Sequence, residues 1–187
     1  MGGMNKDTAD KVLLVTRNIV AEKGFTCTLR ELANAAEVPY PKAQKTWLNA
    51  DNLYRETEKH LYKELSSYLG KCRKDEAVTP LLVKIWFSLQ SVTNGRKFLL
   101  QKVLSGEASG TTNNPIVTRL IKACETSKSN YEADPNVMAA SLYLIAINSD
   151  PKTLTSICED FKVPCLPEEL SVKYLNEVAK MFGGRRP

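Results

Sequence analysis

The chain has 187 residues, of which 43% are hydrophobic and 25% charged, a composition typical of one globular domain or of one domain with a small appendage. Its longest apolar run, Leu142 to Ile147, is far below the roughly 18 residues that a membrane-spanning helix needs. The first ten residues lack the apolar centre of a signal peptide. We therefore expect a cytoplasmic protein that does not enter a membrane.

The net charge is +5, and most of this surplus lies near the N-terminus. Residues 1–74 carry thirteen Lys or Arg and nine Asp or Glu, whereas the remaining residues are nearly balanced. A basic surplus confined to one region indicates where a polyanion such as nucleic acid would bind.

Residue types that carry metal binding or catalysis are scarce. The five cysteines form no CxxC pair and His60 is the single histidine, so a Cys/His zinc site is not expected. The sequence has no glycine-rich phosphate loop, no GxSxG segment and no His-Glu metal spacing. We expect a protein that is not an enzyme, holds no metal or cofactor, and keeps its thiols free in a reducing compartment.

Local signals predict helices from the N-terminus onward. Thr8 is expected to cap a first helix, and Gly24 has the residue type that commonly follows a helix end. Thr28 and Glu31 have the spacing of a capping box, in which each side chain satisfies a backbone N–H near the other residue. This spacing predicts a short second helix.

A third short helix follows, with prolines near its start. Pro39 and Pro41 are tolerated only in its first turn, where backbone N–H groups lack helical partners. We expect this helix to end near Trp47, and Asn49 to cap a long fourth helix.

Beyond residue 74, a polar residue followed by proline recurs before apolar stretches and predicts helix starts. The pairs are Thr79-Pro80, Asn114-Pro115, Asp134-Pro135 and Asp150-Pro151. Pro167 opens a last predicted helix that ends at Gly183. With no convincing strand alternation, we expect an all-α protein of about nine helices.

The second and third predicted helices, with the tight turn between them, fit a helix-turn-helix. In such a motif the second helix enters the major groove of B-DNA, which is wide enough for it. The polar positions of that helix would then face the bases or phosphates, or would simply be solvated. They are Tyr40, Lys42, Gln44, Lys45 and Thr46.

The same stretch resembles the N-terminal domain of TetR-type transcriptional regulators, the tetracycline-repressor-like family. The matching pieces are Ala21-Glu22-Lys23-Gly24-Phe25, Thr28, Leu32-Ala33, Ala36, Val38, Trp47 and Asn49-Ala50-Asp51-Asn52-Leu53. The resemblance implies a helix-turn-helix DNA-binding domain over residues 1–49, joined by a long helix to a regulatory and dimerisation domain over residues 50–187. It also implies that Thr28 and Arg30 meet backbone phosphates at a helix N-terminus.

The third helix departs from the usual pattern of the family. Pro39 and Pro41 replace the usual Ser and Gly, Gln44 stands where a phosphate-contacting Tyr is typical, and Thr46 replaces a His. Ala50 replaces a Lys that commonly touches a phosphate. The sequence therefore leaves two functions open, a DNA-binding regulator and a helical adaptor of the same fold that has lost specific DNA binding.

For the remaining helices the resemblance implies two roles, dimerisation and effector binding. A two-fold dimer would set two reading helices about 34 Å apart, as one turn of operator DNA requires. The interface would use Leu142, Ile145, Tyr174, Leu175, Val178 and Phe182. A small hydrophobic effector would bind among Tyr68, Trp86, Phe87, Leu89 and Phe98, although aromatics at these spacings also suit an ordinary core. The expected partners are double-stranded operator DNA, a second copy and that effector.

Overall fold

A computed structural model describes residues 4–70, 77–105, 114–126 and 135–148. These residues form eight α-helices, and they contain no strand, which confirms the all-α prediction. The helices are α1 (Lys6–Lys23), α2 (Leu29–Ala35), α3 (Tyr40–Trp47), α4 (Ala50–Leu69), α5 (Val78–Ser91), α6 (Gly95–Leu104), α7 (Pro115–Thr126) and α8 (Pro135–Asn148). The helix starts predicted at Asp150-Pro151 and Pro167 lie outside the described residues.

Most of the observed helix starts agree with those predicted from the sequence, and two differ. Asn114 accepts hydrogen bonds from the backbone N–H groups of Ile116 and Val117 through its Oδ1 atom, so it caps α7 as predicted. The prediction that Thr8 caps α1 is wrong, because Asn5 is the cap and accepts a hydrogen bond from the Thr8 N–H at 2.9 Å. The prediction that α5 starts at Pro80 is also wrong. This helix begins at Val78, and Pro80 is accommodated within its first turn, where a missing N–H costs no helical hydrogen bond.

The chain forms two compact units. The N-terminal unit comprises Met1–Ser67 and Val92–Ser109, so it contains α6 as well as α1, α2 and α3 and most of α4. The C-terminal unit comprises Tyr68–Ser91 and Gly110–Pro187. The functional boundary predicted at residue 49 differs from all three boundaries between the units, and it stays a prediction about DNA binding.

Buried apolar side chains hold the N-terminal unit together, and polar pairs join its helices. Val12 and Val20 of α1 are fully buried, as are Leu53, Leu61 and Leu65 of α4. Two ion pairs reach α4, one from Arg17 of α1 to Glu64 at 2.6 Å and one from Lys102 of α6 to Glu58. The Asn94 side chain, just before α6, donates to Asn18 of α1 at 3.0 Å.

Gly95 allows α6 to start close to α4. A Cβ atom at this position would lie 2.9 Å from Leu61 Cδ1 and 3.0 Å from Val92 Cγ1, distances that a real Cβ avoids. A residue with a side chain would therefore push the start of α6 away from α4.

In the C-terminal unit α5 packs against α7 and α8, and α7 packs against α8. Their buried residues include Leu81, Ile85, Leu120, Leu142 and Ile147. Arg119 Nη1 of α7 donates to the carbonyl oxygen of Gly70 at 2.9 Å, which satisfies a carbonyl beyond the last turn of α4.

Candidate nucleic-acid interface

The start of α2 is a complete capping box, as predicted. The Thr28 hydroxyl oxygen accepts a hydrogen bond from the Glu31 N–H at 3.3 Å. In return the Thr28 N–H and hydroxyl donate to Glu31 Oε2 at 2.7 and 2.8 Å. These donors, the backbone N–H first, hold the pKa of the Glu31 carboxyl below its ordinary value. Three donors at this helix end, two backbone N–H groups and one hydroxyl, therefore already have partners within the protein.

The turn between α2 and α3 is a Schellman motif. The Val38 N–H donates to the Ala33 carbonyl at 2.9 Å and the Glu37 N–H donates to the Asn34 carbonyl at 3.0 Å. Glu37 has a φ of 58°, a left-handed conformation that favours glycine. Its carboxylate pairs with Lys11 at 2.8 Å, and this hydrogen bond lowers the pKa of Glu37.

The α3 helix has one buried and one exposed side. Ala43 and Trp47, four residues apart, are buried and fix the helix against the rest of the N-terminal unit. Pro41 lies in the first turn, as predicted, whereas Pro39 precedes the helix as its cap residue and makes no side-chain cap. The exposed residues are Pro41, Lys42, Gln44, Lys45 and Thr46.

The structure brings the predicted DNA-contacting residues onto α3 and the start of α2. Lys42, Gln44 and Lys45 are exposed, whereas the Thr46 hydroxyl donates to the Lys42 carbonyl at 2.9 Å. The exposed Arg30 guanidinium lies over the half-buried Tyr40 ring, 4.8 Å from its centre, so these two residues restrain each other. Contact of any of these side chains with DNA stays a prediction.

The α4 helix is tied to the loop before α2. Asn49 Oδ1 accepts a hydrogen bond from the Asn52 N–H at 2.9 Å, which confirms the predicted cap. Four residues into the helix, the Tyr54 hydroxyl donates to the Cys27 carbonyl at 2.6 Å. Burial, and then the nearby Cys27 thiol, raise the pKa of Tyr54 to about 12. The Phe25 ring packs edge-on against Tyr54 at 5.0 Å and Phe98 at 5.4 Å.

Beside the end of α3 lies a depression of about 400 Å³ that sequence reasoning missed. We call it the α3–α4 depression, and its lining residues are Thr46, Trp47, Leu48, Asn52, Arg55, Glu56 and Lys59. The spacing of Arg55 and Lys59, four residues apart on a long helix in the most basic part of the chain, was the available signal. The sequence gave no signal for Leu48, whose side chain is 70% exposed in the structure and whose φ is 66°.

The predicted effector residues differ in burial, and they belong to different compact units. Trp86, Leu89 and Phe98 are buried, whereas Tyr68 and Phe87 are 54% and 44% exposed. Phe98 belongs to the N-terminal unit and the other four to the C-terminal unit. An effector site at these residues stays a prediction.

Of the predicted dimer residues, Leu142 is buried and Ile145 half-buried on α8. On the exposed side of the same helix, Val137 and Leu144 are 62% and 39% exposed. Tyr174, Leu175, Val178 and Phe182 lie outside the described residues.

The described residues contain neither a cluster of metal-binding side chains nor a helix that could span a membrane. No group of three or more His, Cys, Asp or Glu in residues 4–70, 77–105, 114–126 and 135–148 could hold a metal ion. Within the same ranges, every helix is too short or too polar to cross a bilayer.

The fold is that of the TetR-family transcriptional regulators. The structure is similar to that of GusR from Salmonella enterica, with a TM-score of 0.68 and 12% identity over 96% of both chains. It is also similar to HI0893, a TetR-family transcriptional regulator from Haemophilus influenzae (TM-score 0.57, 17% identity, 94% of this chain and 96% of that one). A third similar structure is NalD, the secondary repressor of the MexAB-OprM multidrug efflux pump in Pseudomonas aeruginosa (TM-score 0.58, 18% identity, the same coverage). No protein-family model matches the sequence, and no curated protein matches it.

Proposed function

We propose that this chain is a TetR-like DNA-binding transcriptional regulator, a repressor, that acts as a cytoplasmic homodimer on double-stranded operator DNA. One observation carries the proposal. The α3 helix is held by the buried residues Ala43 and Trp47, so that Lys42, Gln44 and Lys45 are exposed on its other side. A short helix fixed in this way after a tight turn is what major-groove reading needs.

The side chains on α3 suit two kinds of contact. Gln44 can read adenine through paired hydrogen bonds, and the ammonium groups of Lys42 and Lys45 can neutralise phosphates. Arg30, restrained over the Tyr40 ring, reaches a phosphate or a base edge with less loss of side-chain entropy than a free arginine. The similar structures named above, two of them described as a TetR-family regulator and a repressor, support the same function.

Dimerisation and effector release complete the proposal. Val137 and Leu144, seven residues apart on α8, are exposed apolar side chains on one face of that helix, which supports an interface there. A small hydrophobic effector would bind the conformation that cannot engage DNA. To move the population from mostly bound to mostly free, its affinities for the two conformations must differ by roughly 3–5 kcal/mol.

The test is DNA binding at rising salt by a chain whose oligomeric state is measured first by analytical ultracentrifugation. We expect a dimer that binds fragments of mixed genomic DNA, with an affinity that falls steeply as salt is raised, because each phosphate contact releases a counterion. Enrichment of tightly bound fragments then supplies a preferred site. A dimer that binds no DNA, or binds it without salt dependence, overturns the proposal and favours the helical adaptor.

Residue-level support comes from the double variant Lys42→Ala/Gln44→Ala. We expect it to lose preference for the selected site, because the contacts to base edges are gone. The control is Lys97→Ala, an exposed lysine on α6, which should retain the preference. If the double variant still prefers the selected site over other DNA, α3 is not the reading helix.

A further inference from the structure

The α3–α4 depression lies at the edge of α3, the proposed reading helix. Thr46 and Trp47 contribute from the last turn of α3, and Asn52, Arg55 and Lys59 from the first half of α4. Its volume of about 400 Å³ is ample for a phosphate group and its attached sugar. All the lining residues lie in the N-terminal unit.

Its electrostatics favour an anion. Lys59 and Glu56 pair with each other at 2.6 Å and so contribute little net charge. Arg55 is exposed, and no carboxylate of the described residues pairs with it. The depression therefore presents one uncompensated guanidinium, whose planar set of donors fits two oxygens of a phosphate.

The depression adjoins the exposed side of α3. Thr46 is common to both, since it lines the depression and its hydroxyl donates to the carbonyl of Lys42 one turn earlier. When a helix lies in the major groove, residues beside its end meet the sugar-phosphate strand that borders the groove. Ala50, at the first position of α4, offers no charge to that strand, and Arg55 is the next basic residue along the helix.

We propose that Arg55 in the α3–α4 depression binds a phosphate of the DNA backbone when α3 occupies the major groove. The proposal rests on the proposed function and adds a contact to it. Because a phosphate contact carries no sequence information, Arg55 anchors and orients the chain on any DNA while the α3 side chains select the site.

The test compares the salt dependence of DNA binding by the full-length wild type and by Arg55→Gln. Each lost phosphate contact lowers the slope of log affinity against log salt by about 0.9, so a homodimer loses about 1.8. The ratio of the wild-type affinity for DNA to that of the variant therefore falls about 12-fold when the salt concentration rises fourfold. The preference for the selected site over other DNA stays unchanged. Lys97→Gln, which removes the same charge elsewhere in the N-terminal unit, should leave the slope within error of the wild type.

One further variant, together with the Lys97→Gln control, distinguishes a specific phosphate contact from general electrostatic attraction. Glu56→Gln removes the partner of Lys59, so we expect tighter DNA binding and a steeper slope than in the wild type. If Arg55→Gln and Lys97→Gln lower the slope equally, the effect comes from net charge and the proposal is wrong. If the wild type itself binds no DNA, the proposed function has failed instead, so the two failures are distinguishable.

Free inorganic phosphate offers the same oxygen acceptors as a phosphate of the DNA backbone, so its binding is tested in a separate experiment. Thermal denaturation without DNA is compared in phosphate and in sodium chloride of equal ionic strength. We expect no stabilisation that depends on Arg55, because an isolated anion at an exposed guanidinium gains little. Stabilisation by phosphate that Arg55→Gln abolishes, together with an unchanged DNA slope, would assign the depression to a free anion and overturn the proposal.

Discussion

The two helices of the helix-turn-helix are held in place by different means. Hydrogen bonds close both ends of α2, through the capping box of Thr28 and Glu31 and through the Schellman bond from Val38 to Ala33. By contrast, the N-terminal cap residue of α3 is Pro39, which makes no side-chain cap, and the residue after its last turn is Leu48, which has a positive φ. Both helices bury apolar side chains, but α2 also has hydrogen-bonded caps at both ends, whereas α3 has no side-chain cap at its start.

The start of α3 is stabilised without a side-chain cap. The fixed φ of Pro39 and Pro41 reduces the conformational entropy of the unfolded chain, which favours the folded state. Burial of Ala43 and Trp47 adds further stability. The position of α3 should therefore be sensitive to core substitutions and tolerant of changes at its start.

The largest expected effect is that of Trp47→Ala. Trp47 is 5% exposed and is the larger of the two buried side chains of α3, so its truncation should cost about 3–5 kcal/mol of the free energy of unfolding. Urea denaturation followed by circular dichroism measures the loss. Lys45→Ala, on the exposed side of the same helix, should change the free energy by less than about 0.5 kcal/mol. Equal effects of the two substitutions would mean that burial does not hold α3.

A smaller loss is expected from Thr28→Ala at the start of α2. Removing the cap should cost about 1 kcal/mol, because the Glu31 N–H loses its partner. Replacement by Ser should restore most of the stability, since serine offers the same acceptor. A serine variant as unstable as the alanine variant would show that the methyl group, not the cap, supports α2.

The cap also links stability to pH. The pKa of Glu31 is lowered in the folded protein, so its ionised carboxylate contributes to the free energy of unfolding above the ordinary pKa of 4.5. This contribution is lost as the pH falls through the lower pKa of the folded protein. In Thr28→Ala the hydroxyl donor is gone but the backbone donor remains. We expect the stability difference between wild type and variant to shrink below about pH 4.5. A constant difference down to acid unfolding would show that the hydrogen bond from the Thr28 hydroxyl to the Glu31 carboxylate adds no stability.

The smallest expected effect is that of Pro41→Ala on α3. The loss should be about 0.4–1 kcal/mol, because alanine fits the first helical turn and mainly increases the freedom of the unfolded chain. The same denaturation experiment measures it. A loss above about 2 kcal/mol would mean that the proline ring packs in the native structure and that α3 is fixed at its start as well.

Features encoded by a few neighbouring residues were predictable from the sequence. Thr28 with Glu31, the glycine at 24 and the Asn49 cap each depend on chemistry within one helical turn. The inclusion of α6 in the N-terminal unit was not predictable, because it rests on contacts such as that of Asn94 with Asn18, which are 76 residues apart. The α3–α4 depression was missed for a related reason, since its shape depends on how α3 ends at Leu48.

The place of α6 has a consequence for how the protein is made. On the ribosome, α1 to α3 emerge first, but Gly95, Asn94 and Lys102, through which α6 meets α1 and α4, emerge only after all of α5. Domains generally fold as units during synthesis, so the N-terminal unit can complete its packing only after α6 has emerged. A nascent chain halted before α6 would leave exposed the part of α1 that α6 covers.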